Sequence, residues 1–474
     1  MDFVAILPEI SLLVLAAILL VVDLWLKKEN KHWLTWVTFV GLAIIFVLTV
    51  LFNRPEAGAE TAIWGGMLRD DLLGFAFRLV FLAGAAITTL FSIEWDSISK
   101  RGEFYTLLVV STLGMNLMAA AGDLVMLFLS IETASIPLYV MAGFMKDDDK
   151  SVEAGFKYML FGAMTSAVML YGFSLLYGFS GGVTDIYALA EMMTDVPTIP
   201  MFASLLLVLV GFGFKISMFP LQFWAPDVYE GAPTPVTGFL STASKAAGFS
   251  VLVRVLLAVF PVADWQLILG VLSAITMTLG NLVAMWQKNI KRMLAYSSIA
   301  HAGYILMGIA AGTEFGLNSM LYYIITYLLT NLAAFGFVTV YHHTTGSDEI
   351  EDYAGLSRRN AALAFGMLFT FLSLGGVPPL GGFFAKVLVF AAAVDSGMTW
   401  LAVIGVINAV IGLYYYLNVL KVVYLKRQPG DTMPMIVNPV HGVALVVCVI
   451  GVVLMGTVMA PWFNFTAEAA KALF

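Results

Sequence analysis

Four ionisable side chains stand inside apolar stretches where charge is costly: Glu132, Lys215, Lys245 and Lys386. A charge at the centre of a membrane helix costs roughly 2.5–3.5 kcal/mol on insertion scales. Isolated, the four would together cost on the order of 10 kcal/mol, comparable with the whole stability of many domains. They should therefore pair or face water. Carboxylates and amines carry protons, so the chemistry within their reach is proton transfer. At ~4 Å and an effective dielectric near ~20, a carboxylate attracts an ammonium by about 4 kcal/mol. Moving Glu132 by a few ångströms would then load or unload a proton on Lys215.

Each of these residues has neighbours that bear on its use. Glu132 lies in LFLSIETASIPLYV. Helical spacing puts Ser135 and Tyr139 on its face, and Pro137 can kink that helix and free a carbonyl. A structural Glu–Arg or Glu–Lys contact between helices is the alternative. Lys215 precedes Pro220 in GFGFKISMFPLQFW. Its ammonium either caps the carbonyls of an interrupted helix or carries a proton, and the two are compatible. Lys245 has Ser241 and Thr242 one turn back. Lys386 follows a second break, at Pro378–Pro379 in GVPPLGGFF. His301 follows Ser297 and Ser298 and precedes Tyr304. With an unperturbed pKa near ~6.5 it suits a relay, and it equally suits a hydrogen-bonded core. Tyr322, Thr326 and Thr330 share a helical face, which reads as a hydrated path or as interhelical hydrogen bonding. Arg78 and Arg254 read as structural, or as snorkelling near helix ends.

Several chemistries are disfavoured. His342 and His343 lack a further spaced ligand for a metal. The glycines of GGVPPLGGFF do not follow a strand, so they are no nucleotide fingerprint. No flavin, NAD or haem motif is present, and the single cysteine, Cys448, can neither form an internal disulfide nor hold an iron–sulfur cluster. No basic tract suggests nucleic acid.

The elements that must position these residues are membrane helices. The 474 residues are 61% hydrophobic and 12% charged, with mean hydropathy +0.92; a soluble chain is about 25% charged. Barrel strands of about 9–11 alternating residues are absent. The fold class is an all-α polytopic membrane protein with about fourteen spans. They fall near 3–25, 33–52, 72–94, 104–121, 123–144, 153–179, 200–230, 236–260, 265–287, 292–311, 317–341, 361–394, 400–425 and 439–462. The N-terminus lacks the positive region of a cleaved signal peptide. Its lysines, Lys27, Lys28 and Lys31, come after the first span. The other loops on that side carry Lys100, Arg101, Lys146, Lys150, Lys157, Lys288, Lys291, Arg292, Arg358, Arg359, Lys421, Lys426 and Arg427, whereas Arg54, Arg69 and Lys471 alone fall opposite. The positive-inside rule puts both termini on the non-cytoplasmic side. The two proline breaks are five spans apart. An odd offset inverts the second copy, and broken helices in inverted repeats point to a midplane transport site. The organisation is a three-helix segment (1–103), two inverted five-helix repeats (104–260 and 261–427), each with a broken helix, and a C-terminal helix (428–474).

Two stretches carry a family resemblance. FKISMFPLQFWAPDVYEGAPTPVTGFLSTASKAAGF, 214–249, resembles the signature of antiporter-like subunits of respiratory complex I, and NIKRMLAYSSIAHAGYILMG, 289–308, resembles their tenth-helix motif. WAPDVYEGAPTPV and LGGFFAKVLVF, with lysine in the twelfth span, are similar to the N-type (ND2-type) branch. The resemblance implies a proton-translocating subunit of NADH:quinone oxidoreductase. The family's fifth-, seventh-, eighth- and twelfth-helix residues map onto Glu132, Lys215, Lys245 and Lys386. It also implies that NADH, FMN, iron–sulfur clusters and quinone are bound by other subunits, with no cofactor on this chain. M-, K-, J- and A-type membrane subunits and the lipid bilayer are the implied partners. The implied location is the bacterial inner (plasma) membrane, or the mitochondrial inner membrane if organellar. The rival readings are an Mrp-type cation/proton antiporter or membrane hydrogenase subunit, and a non-pumping structural membrane-arm subunit.

Overall fold

The computed structural model describes residues 3–56, 61–192, 197–427 and 433–474. The side chains of Lys28 and Asp96 also lie outside the description, so Lys28 of the charge pattern and the start of the 428–474 segment are not placed.

The chain is a multi-pass helical membrane protein, with 13 described helices long and apolar enough to cross a bilayer. They are α1 (Leu7–Trp25), α2 (Trp33–Phe52), α3 (Leu72–Phe91), α4 (Gly102–Ala120), α5 (Leu124–Ala142), α6 (Asp149–Phe179) and α7 (Thr198–Ile216). The short α8 (Trp224–Gly231) follows, then α9 (Thr234–Val259), α10 (Val262–Ala284), α11 (Ile290–Ala310) and α12 (Glu314–Thr345). The remaining expected span is divided into α13 (Ala361–Gly375) and α14 (Gly381–Asp395). Then come α15 (Thr399–Leu425) and α16 (Pro439–Thr457).

Two details depart from the sequence reading and a third explains it. An antiparallel pair, β1 (Thr61–Ile63) and β2 (Leu68–Asp70), joins α2 to α3. A second short helix, α17 (Met459–Ala470), follows α16, so the C-terminal segment is two helices rather than one. Here Val458 leaves helical geometry at ψ 61 and α17 restarts behind it. The near-absent turn between the fourth and fifth spans is held by Asp123. Its side chain accepts from Val125 N–H (2.8 Å) and Met126 N–H (3.2 Å), so it N-caps α5.

Which helices sit inside runs opposite to their hydropathy. Windows of α9, α11 and α12 are 89%, 94% and 89% buried, against 28% for α6. The exposed α1 and α2, 33% buried, have mean hydropathies of 2.4 and 2.5, against 1.5, 1.3 and 1.6 for α9, α11 and α12, because lipid demands apolar surface while polar side chains face the bundle interior. These inner helices carry Lys245, His301 and the Tyr/Thr face. Arg78 and Arg254 are buried and paired. Arg78 donates to Glu9 (2.8 Å) and Asn53 (3.0 Å), and Arg254 grips Asp71 with two bonds of 2.7 and 3.0 Å. Both serve to tie helices together rather than to snorkel.

The two helix breaks share one local device. At the first, Met218 N–H bonds Gly213 O (2.8 Å) and Ser217 N–H bonds Phe214 O (3.1 Å), with Ser217 at φ 59. At the second, Val377 N–H bonds Leu372 O and Gly376 N–H bonds Ser373 O, both 2.9 Å, with Gly376 at φ 83. Both are Schellman caps, which use the left-handed conformation to satisfy the last carbonyls. The prolines beyond them stop the helix from continuing.

Candidate functional site

Lys215 ends α7 and turns away from the break. Its ammonium donates to Ser135 Oγ on α5, and Ser135 in turn donates to Ile131 O. The carbonyl it was free to cap, Phe214 O, is taken by Trp224 Nε1–H at 3.1 Å. Capping is therefore not the role of Lys215. Gly248 on α9 makes this approach possible. A Cβ there would lie 2.8 Å from Ile216 Cγ2 and 3.0 Å from Lys215 Cβ. Glu132 stands within electrostatic range of Lys215 but is not ion-paired with any described residue. It is half-buried, on the outward stripe that also shows Leu129 and Ile136, and its Oε1 is buried without a hydrogen-bond partner.

Lys245 comes immediately after a π-helical turn, Leu240–Ser244; such turns are frequent at functional sites. Its ammonium donates to Ser298 Oγ on α11 at 2.8 Å and lies 5.7 Å from the Tyr229 ring centroid. Between Lys215 and Lys245 the space is filled by aromatic rings, with Tyr158 stacked on Trp224 at 4.5 Å and Tyr229 beyond. Among the described residues no chain of hydrogen bonds joins these two lysines.

Lys386 lies on α14 and reaches back across the second break. It donates to Leu374 O at 2.8 Å and lies 5.1 Å from the Tyr304 ring centroid. A freed carbonyl of an interrupted helix is thus capped by an ammonium, but by Lys386. Gly376 fits beneath it, since a Cβ there would lie 2.9 Å from Lys386 Cδ.

His301 sits between the second and third lysines. Nδ1 is 2.7 Å from Tyr323 OH and Nε2 is 3.2 Å from Tyr416 OH; Tyr416 OH also pairs with Ser297 Oγ. In either neutral tautomer one nitrogen donates and the other accepts. Two cavities of about 10 Å³ flank this region, each at the lower limit for one water. The first is lined by Lys245, Ser298 and Tyr327. The second is lined by His301, Tyr323, Thr326, Tyr327, Thr330, Ser373 and Leu374. Tyr327 is common to both. Lys386 does not line the second cavity but bonds the carbonyl of Leu374, which does.

The structure therefore brings Lys245, His301 and Lys386 together along one polar seam and leaves Lys215 and Glu132 beyond an aromatic partition. It divides the Tyr322/Thr326/Thr330 face. Thr326 and Thr330 line the cavity, while Tyr322 OH donates to Met455 O on α16 and serves packing. Sequence reading missed Tyr323, Tyr327, Ser373 and Tyr416. Two signals were available: Tyr323 and Tyr327 repeat at i, i+4, and Tyr416 ends a run of three tyrosines in an apolar helix. Among the described residues no cluster of three or more His, Cys, Asp or Glu can hold a metal. His342 instead contacts Asp348 Oδ1 at 2.9 Å. Burial works against the Asp348 charge, but the His342 bond and the nearby Lys291 hold its carboxyl below the usual range.

The family described as NADH:quinone oxidoreductase/Mrp antiporter, TM, matches residues 121–412, which contain Glu132, His301 and all three lysines. The chain belongs to this family. It is 41% identical to NADH-quinone oxidoreductase subunit N of Moorella thermoacetica, over 96% of each chain. It resembles a chain of respiratory complex I from Thermus thermophilus at 31% identity and TM-score 0.82, covering 96% of this chain and 98% of that one. The fold alone is shared more widely. A chain of the Mrp complex from Dietzia sp. superposes with TM-score 0.89 at 18% identity, covering 100% and 98%. Helix arrangement therefore does not separate the oxidoreductase from the antiporter.

Proposed function

We propose that this chain is a proton-translocating, antiporter-like membrane-arm subunit of an NADH:quinone oxidoreductase. The observation that carries the reading is the seam from Lys245 through Ser298, Tyr327 and His301 to Leu374 and Lys386. Buried ammonium groups are costly, and small cavities that hydroxyl groups border between them suit proton transfer better than adhesion. Quinone reduction elsewhere in the complex changes the electrostatics at Glu132. Glu132 then alters the proton affinity of Lys215, and protons move along Lys245 and His301 to Lys386. The outward position of Glu132 lets an adjoining subunit act on it.

The same reading places NADH, FMN, iron–sulfur clusters and quinone on other subunits, with M-, K-, J- and A-type chains as neighbours. It sets spans four to eight and nine to thirteen as two inverted units, which the matching caps at the two breaks support. Both termini lie on the non-cytoplasmic side of the bacterial inner membrane, or of the mitochondrial one if the chain is organellar. Identity to the oxidoreductase subunit favours this over an Mrp-type antiporter. In inside-out vesicles holding the intact complex, Lys215→Ala should lower protons pumped per NADH oxidised more than it lowers assembly. Wild-type pumping by assembled Lys215→Ala would sink the reading.

A further inference from the structure

A further cavity beside the seam lies at the lysine-rich end of the bundle, where α10 and α15 end and α11 begins. Its volume is about 240 Å³, room for several waters. Its lining includes Lys288, Lys421 and Lys426, all exposed, Glu351, which pairs with Lys426 at 2.6 Å, and Gln287 and Asn418, both half-buried. Tyr415, buried, also lines it.

From Tyr415 the groups inward can each both give and take a proton. The Tyr415 ring packs on Tyr416 at 4.4 Å, which sets the two phenols side by side. Tyr416 OH is 3.2 Å from His301 Nε2, and His301 Nδ1 is 2.7 Å from Tyr323 OH, beside the cavity that reaches Leu374. A neighbouring branch is different. Tyr415 OH donates to Asn281 Oδ1 (3.0 Å), and Asn281 Nδ2 donates to Tyr304 OH (3.2 Å). An amide nitrogen has no lone pair to accept a proton, so this branch holds Tyr415 in place and does not conduct.

We propose that the cavity floored by Tyr415, with Tyr416 behind it, is a proton inlet from the lysine-rich face to His301, separate from Lys215. The step balances without a co-reactant. A proton enters at the Tyr415 oxygen, the Tyr415 hydroxyl turns its own proton from Asn281 Oδ1 to the adjacent Tyr416 oxygen, and Tyr416 passes its own to Nε2 of neutral His301. The imidazolium then releases its Nδ1 proton toward Tyr323. No bonds other than O–H and N–H form or break. Under the proposed orientation this face is cytoplasmic, so Lys245 and Lys386 can be loaded across the aromatic partition from Lys215.

The inference rests on the proposed function, and the test separates the two. In inside-out vesicles with the intact complex, Tyr416→Phe keeps the ring and removes the hydroxyl. Protons pumped per NADH oxidised should fall about twofold or more. Asn418→Cys, labelled with a bulky membrane-impermeant maleimide, closes the cavity without touching the relay. This chain's own cysteine, Cys448, is buried, and the wild-type complex treated with the same maleimide sets the baseline for cysteines of other subunits. The labelled variant should pump about twofold less, or lower still, than the same variant unlabelled. An unchanged ratio in assembled Tyr416→Phe, or no difference on labelling, overturns the inlet. If Tyr416→Phe fails to assemble, the labelling result decides. Loss of pumping in Lys215→Ala alongside unchanged inlet variants defeats this inference alone; wild-type pumping in Lys215→Ala defeats the reading beneath it.

Discussion

At the first break the lysine leaves the interrupted helix and meets a hydroxyl on another helix; at the second the lysine comes back to the interruption and meets a carbonyl. The backbone caps match bond for bond. The difference lies in what each ammonium touches. Ser135 can give or take a proton, and Glu132 is near enough to act on the pair. Leu374 O can only accept, and Lys386 has no ion-pair partner among the described residues. One helix device thus supports two electrostatic states. Lys215 is placed to respond to a carboxylate that moves or changes charge. Lys386 is placed as a terminus whose occupancy depends on what arrives along the seam.

The largest effect should come from removing either ammonium. Lys215→Ala and Lys386→Ala should each lower pumping per NADH roughly tenfold or more, measured in vesicles with assembly checked on native gels. Wild-type pumping by only one of them would show that a single break carries the transport. Glu132→Gln should come next, with a loss of about fivefold, because it removes about 1 kcal/mol or more of attraction. Combining it with Lys386→Ala should give additive losses, and with Lys215→Ala no further loss. Strict additivity in both pairs would break the distinction between the two ends.

Ser135→Ala should cost less, roughly threefold in coupled turnover, the worth of one neutral hydrogen bond. The matching acceptor at Lys386 is a main-chain carbonyl, which no substitution removes. A wild-type rate would mean that Lys215 does not use the hydroxyl. The smallest effect lies outside both breaks. Asp348→Asn should cost under about 1 kcal/mol, read as a lower thermal midpoint with unchanged pumping. Since the Asp348 carboxyl is held below its ordinary range, its contribution is full above the unfolded titration near ~4 and is lost as pH falls below it. The difference between wild type and Asp348→Asn should therefore vanish in acid.

Much of the site was legible because its signals are local. A lysine within an apolar run is costly wherever that run packs, so Lys215, Lys245 and Lys386 stood out as residues. Pro220 and Pro378–Pro379 marked both breaks because proline cannot continue a helix. Partners were not legible. The capping role read for Lys215 belongs to Lys386, and the single polar face read from Tyr322 to Thr330 splits between packing and cavity. Tyr327, which lines both cavities, offered only its i, i+4 spacing from Tyr323, a spacing that packing tyrosines share.

The sequence by itself determined a membrane helix bundle, its two interruptions and the residues whose charge had to be accommodated, since hydrophobic length, helical period and proline geometry act within a few turns. The tertiary structure decided which groups accommodate them. Lys215 meets Ser135 across 80 residues, Lys245 meets Ser298 across 53, and Ser297 meets Tyr416 across 119. Such contacts depend on how α9, α11 and α12 are enclosed by the outer helices, and hydrogen bonds of a few ångströms cannot be read from spacing along one helix.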